Sequence, residues 1–153
     1  PINETVSVEL IRDGLAGKGG SVKARLLDQA AVISGVGNWV ADEVLYQAGI
    51  HPEAVCCELS DAHVAALHAA LSDVLQTACR VNADASRFPK EWLFHYRWGK
   101  GKGAAHVPGG GLITFLTVGG RTSICSVTVR KVGGTTSSRS WPSWVTTDSV
   151  IVW

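Results

Sequence analysis

The chain has 153 residues, 46% of them apolar and 18% charged, with a mean hydropathy of +0.16 and a formal net charge of +1. That balance excludes a disordered polyelectrolyte and suffices to bury a real core in one compact domain or two small ones. No apolar run reaches the roughly 20 residues of a membrane span and no signal-peptide pattern opens the chain, so a soluble, intracellular protein with no membrane partner is expected.

In chain order, Val6 to Leu15 reads as a short helix, with Val6, Leu10 and Ile11 apolar and Gly14 near its end. Lys18-Gly19-Gly20 then loops into Ser21, a good N-cap for a helix predicted to about Val32. Gly35-Val36-Gly37 turns the chain, both glycines being free to take φ > 0, and Asn38 is the expected N-cap of a helix over Trp39 to Ala48. Gly49 and Pro52 end that helix. Ser60 caps a long helix to about Val81, with Val64, Leu67, Leu71, Val74, Leu75 and Ala78 at helical spacing.

From Phe88 the character changes. Lys100-Gly101-Lys102-Gly103 and Pro108-Gly109-Gly110-Gly111 are turn signals, the first a flexible basic loop because no Gly-Lys-Ser/Thr opens a helix there. Leu112 to Val118 is strand-like, and Gly119-Gly120 turns it toward a second strand at Ser123 to Val129, with Arg121 at or near the hairpin tip. Gly133 to Trp153 is rich in Ser, Thr and Trp and carries only Arg139 and Asp148 as charges. It is expected to be an unrelated tail, with a short strand over Ser149 to Trp153 as the alternative. Met is absent, which fits removal of an initiator before Pro1 or a start inside a longer reading frame.

Charge is segregated along the chain. Residues 1–85 hold five Lys/Arg against eleven Asp/Glu, a balance of −6, whereas residues 86–131 hold eight against Glu91 alone, a balance of +7. Such a footprint suits a polyanion, usually nucleic acid; a solvated basic surface is the alternative. Phe88, Trp92, Phe94, Tyr96 and Trp98 are interleaved with the basic residues, and most are expected to fill a small core rather than to stack on bases. Cys56, Cys57, Cys79 and Cys125 form no C-x-x-C pair, and His63 and His68 are five apart, so neither zinc nor another metal is expected. The turn before Asn38 presents free N–H groups and the positive end of a helix dipole, a site for a phosphate; a ligand-free helical corner is the alternative.

The run Lys23-Ala24-Arg25-Leu26-Leu27-Asp28-Gln29, followed by Ile33 through Gly35-Val36-Gly37-Asn38-Trp39-Val40-Ala41-Asp42-Glu43-Val44-Leu45 to Pro52, closely resembles the helix–two-turn–helix (H2TH) of formamidopyrimidine-DNA glycosylases. It is most similar to the eukaryotic branch that lacks a zinc finger, and Gly119-Gly120-Arg121-Thr122-Ser123 resembles that branch's zincless-finger turn. The resemblance covers roughly Ile2 to Lys131. It implies an α+β fold, a mostly helical H2TH domain followed by a small β-hairpin zincless finger. The implied division is an interdomain segment with the first helix (1–20), the H2TH DNA-binding domain (21–87), the basic finger hairpin (88–132) and a non-family tail (133–153).

The same resemblance implies damaged-DNA binding in base-excision repair, as the C-terminal part of a glycosylase and AP lyase. The implied partner is double-stranded DNA with an oxidised base or an abasic site, bound by a nuclear monomer without a small-molecule cofactor. Carried over residue by residue, Asn38 in its turn with Gly37 would contact a phosphate, and Lys23 would face the lesion-side backbone. Arg121 would grip the phosphate next to the damaged nucleotide. Such a clamp holds a kinked duplex while a base flips out, and weakens with salt.

The family's nucleophile is an N-terminal proline followed by a glutamate, in an N-terminal domain that also supplies a catalytic lysine. Pro1 is a secondary amine suited to Schiff-base chemistry, but Ile2 follows it, and Pro1-Ile2-Asn3-Glu4 resembles the segment leading into the first helix. The expectation is therefore a chain without the catalytic domain and inactive alone. An intact small AP lyase using Pro1 and a non-catalytic H2TH module are the alternatives. After Ser123 the family's usual Ala-Tyr is replaced by Ile124-Cys125.

Overall fold

The helices that follow Ser7, Ser21 and Ser60 begin where a serine precedes an apolar periodic run, and the serine is used as a cap. The structure is a computed structural model describing residues 6–28, 32–108, 111–129 and 151–152. Helix α1 (Val8–Leu15) starts after Ser7, whose Oγ accepts from Leu10 N at 3.1 Å, two residues later than the apolar pattern suggests. Helix α2 (Val22–Leu27) starts after Ser21, whose Oγ accepts from Ala24 N. Helix α4 (Asp61–Arg80) starts after Ser60, whose Oγ accepts from His63 N at 3.2 Å while His63 Nδ1 accepts from Ser60 N at 3.1 Å. This is a capping box in which histidine does the work of the usual glutamate. Ser60→Ala is expected to lower the unfolding free energy by about 1 kcal/mol in urea denaturation, because the His63 N–H loses its side-chain acceptor.

Helix α3 (Asn38–Ala48) departs from expectation at its start. Its N-cap is Gly37, at φ −85° and ψ 176°, so Asn38 is the first helical residue and not the cap. Gly35 alone takes a positive φ in this turn, at 96°. Helix α2 is also shorter than predicted. It ends at Leu27 and not near Val32, with Asp28 already extended at φ −78° and ψ 95°. Leaving the helix early lets Val32 and Val36, only 7% and 1% exposed, turn back into the core. Burial overrides local propensity here.

Strands β1 (Leu112–Val118) and β2 (Arg121–Val129) pair antiparallel, in register from Leu112↔Val127 to Val118↔Arg121. Gly119 and Gly120, at φ 58° and 73°, make the two-residue turn that matches strand twist and requires positive φ at both positions. Strand β2 therefore begins at Arg121, two residues before the predicted Ser123. A short β3 (Ile151–Val152) pairs with Thr128 and Val129 of β2, within the stretch where a terminal strand was the alternative to an unrelated tail. Residues 130–150 and 153, the greater part of that tail, lie outside the described residues.

Among the described residues two apolar clusters organise the fold. The first joins Ile11, Leu15, Leu26, Val44, Leu67 and Leu71 and continues through Phe88 and Trp92. Trp39 meets Phe88 at a centroid distance of 5.3 Å and Phe94 edge-on at 5.2 Å, so these aromatics fill the core as expected. The second cluster is small: Leu93, Val107, Ile113 and Ile124. The helical core thus extends to Trp92, past the composition change at Phe88. Ile124 and Cys125, which depart from the family's finger pattern, are 3% and 2% exposed within an unbroken ladder. Helix α3 lies between α4 and the hairpin and buries Val40 through Leu45. Among the described residues no helix is long and apolar enough to cross a membrane.

Candidate nucleic-acid interface

The hairpin tip and the start of α3 meet over a buried charge cluster. Asp42, 2% exposed on α3, pairs through Oδ1 with Lys23 Nζ at 2.6 Å and through Oδ2 with Arg97 at 2.7 Å. Ile124 N also points at Oδ2, at 3.4 Å. Lys23 Nζ donates onward to the Thr122 carbonyl at 3.3 Å and to Ser123 Oγ at 2.5 Å. One carboxylate therefore ties α2, α3, the 3₁₀ turn Leu93–Tyr96 and β2 together. Burial is the first influence on Lys23, pushing its ammonium below the usual lysine range against the pull of Asp42, with Arg97 and Arg121 pushing the same way as burial.

Gly119, Arg121 and Thr122 play different parts in the hairpin end. Gly119 sits so close to α2 that a Cβ there would come within 3.1 Å of Ala24 Cβ, at a φ that already favours glycine. The Thr122 carbonyl receives Asn38 Nδ2 at 3.0 Å as well as Lys23 Nζ. Arg121, between these anchors, is exposed and forms no ion pair with a described residue. Its backbone is fixed while its guanidinium is left to solvent.

The structure thus brings Gly37, Asn38 and Arg121 to one surface, beside the free N–H groups that begin α3. Lys23 belongs to the same cluster but beneath it. Its side chain is 0% exposed and its ammonium is fully partnered, so it reaches no ligand directly in this conformation. Pro1 lies outside the described residues.

Sequence reasoning missed Asp42, Glu43 and Arg97. Glu43, 1% exposed, accepts from Phe94 N at 2.9 Å and from Gln47 Nε2 at 3.0 Å, and so anchors the start of the turn that leads into the finger. The available signal was position: two adjacent acids fall between Val40-Ala41 and Val44-Leu45, where a solvated face has no room. Burial, outweighing those hydrogen bonds, raises the Glu43 carboxyl above its ordinary 4.5. The folded protein then binds more protons than the unfolded chain between pH 4.5 and that raised value, so stability falls as pH rises through the window. Glu43→Gln should flatten this slope in urea midpoints measured from pH 4 to 8, since the Gln47 amide can turn to accept where it now donates.

Cys125 is buried beside the cluster, and burial foremost pushes its thiol up to about 12, which makes it unreactive at neutral pH. Among the described residues no three of His, Cys, Asp and Glu gather closely enough to hold a metal ion.

Here a helix–turn–helix corner docks on a β-hairpin, with an exposed arginine beside a helix start, an arrangement whose donors suit an anion. Residues 1–90 match the family described as the formamidopyrimidine-DNA glycosylase H2TH domain. The chain belongs to that family. It is 44% identical over 131 residues to the Arabidopsis thaliana formamidopyrimidine-DNA glycosylase, an alignment covering 86% of this chain and 33% of that protein. With the Bacillus subtilis enzyme of the same name it is 34% identical over 135 residues, covering 82% and 48%. Among solved structures, a Lactococcus lactis Fpg variant in complex with Fapy-dG-containing DNA superposes with a TM-score of 0.66 at 27% identity, covering 81% of this chain and 48% of that one. The MutM (Fpg) protein of Thermus thermophilus gives 0.66 at 26% identity, covering 82% and 50%. The chain therefore spans between a third and a half of the length of these relatives.

Proposed function

We propose that this chain is the backbone clamp of a formamidopyrimidine-DNA glycosylase acting in base-excision repair. It binds double-stranded DNA that carries an oxidised base or an abasic site, as a monomer and without a small-molecule cofactor. The observation that carries this reading is the double grip on the Thr122 carbonyl by Asn38 and Lys23, which holds Arg121 next to the start of α3. A guanidinium, an amide with one N–H still to give, and helix-start N–H groups form a set of donors of the kind that binds phosphate oxygens. Lys23 acts as a strut for this set, and its charge lies under the phosphate site. The names of the relatives support the reading. So do the Lactococcus lactis structures, which hold DNA with Fapy-dG or an abasic site.

Fluorescence anisotropy on a duplex with a single abasic-site analogue tests it. The logarithm of affinity should fall with the logarithm of salt with a slope of roughly −2 to −4, as a few phosphates shed their counterions. A slope near zero, or no binding at low salt, overturns the clamp.

A further inference from the structure

The segment leading into the hairpin leaves one large aromatic side chain uncovered. Trp98 is 66% exposed, although Phe94 holds its indole edge-on at a centroid distance of 5.3 Å and 78° between planes. Beside it opens a cleft of about 290 Å³, walled by His95, Trp98 and Phe115 and rimmed by Lys102, Gly101 and Gly103. Among the described residues no acidic one lines this cleft. Gly101 and Gly103 take φ 79° and 98°, and a Cβ on either would meet nothing, so the rim is open backbone. Phe115 is three residues before the end of β1, which puts the cleft on the order of 10 Å from the hairpin turn that carries Arg121.

An occupant suited to these walls has a flat π-face and a negative charge. Aromatic faces accept any nucleobase by stacking, and a nearby ammonium tracks the phosphate that accompanies it. We propose that the cleft binds an unpaired nucleotide of a DNA strand, its base stacked on Trp98 and its phosphate held by Lys102. A paired base inside a duplex does not offer its face, so this site distinguishes an unstacked strand from an intact one. The choice of DNA as the polymer rests on the clamp reading above, whereas the stacking chemistry stands on the cleft itself.

The test titrates the full chain with single-stranded oligo(dT) of about eight nucleotides and, separately, with the abasic duplex. Trp98→Ala should weaken oligo(dT) binding about ten-fold and leave duplex affinity within about two-fold, while Trp98→Phe keeps most of the oligo(dT) affinity. Quenching of tryptophan emission by oligo(dT) should be lost in Trp98→Phe although binding persists. Arg121→Ala should do the reverse, losing duplex and keeping oligo(dT). Equal oligo(dT) binding by the wild type and Trp98→Ala overturns the proposal, as does failure of the wild type to bind it at low salt. An Arg121→Ala protein that holds duplex normally overturns the clamp and leaves the nucleotide cleft standing.

Discussion

Asp42→Ala should be the most damaging single substitution in the molecule, lowering the unfolding free energy by about 3–5 kcal/mol. The side chain is 2% exposed and balances two cations, one of which, Lys23, has no exposure at all. Removing the carboxylate strands an ammonium where water does not reach, and leaves Arg97 and Ile124 N without their shared acceptor. Breaking one side of a buried pair costs far more than replacing both sides with apolar groups. The double variant Lys23→Met/Asp42→Leu should therefore recover much of the loss in urea denaturation, because Arg97 still reaches solvent at 19% exposure. A double variant as unstable as Asp42→Ala would mean that the hydrogen bonds to Thr122 and Ser123, and not the unpaired charge, dominate.

Arg121→Ala should weaken binding to abasic duplex by ten-fold or more, since a hydrogen bond to a charged phosphate contributes roughly 1.5–3 kcal/mol. The salt slope should fall in magnitude by about one, the signature of a lost phosphate contact. Stability should stay within about 0.5 kcal/mol of wild type, because the side chain is exposed and has no described ionic partner. Asn38→Ala is different in kind. It removes one of the two donors on the Thr122 carbonyl, so it should cost both affinity and stability. Anisotropy titrations at three salt concentrations, with urea melts of the same proteins, separate the two behaviours.

Much of this architecture is legible in residues close together in the chain. Ser7, Ser21 and Ser60 each precede an apolar run and each caps a helix, because the capping bond spans only three residues. Gly119-Gly120 declares its turn because only glycine takes two consecutive positive φ values at no steric cost. The phosphate-facing role proposed for Arg121 and Asn38 comes from family resemblance; what the structure adds is the hydrogen bond from Asn38 to the carbonyl of Thr122, the residue after Arg121. Less legible was the depth of each charged residue. Lys23 reads as a surface cation and Asp42 and Glu43 as part of an acidic half, yet all three are buried. Nothing local to Lys23 announces that its partners lie 19 residues away on α3 and about a hundred away on β2.

The sequence by itself determined the helical half, the hairpin with its arginine, the segregation of charge and the family. Hydrophobic period, capping and turn chemistry act over a few residues and need no tertiary knowledge. Only the tertiary structure decided that Asp42 is the post on which both halves hang, that Lys23 serves the finger from below, and that α2 stops early to let Val32 and Val36 inward. Those outcomes depend on which groups meet after the chain is packed. Whether a charge is buried with a partner or left to water is settled by that meeting, through the cost of desolvation, and not by the residue's neighbours in the chain.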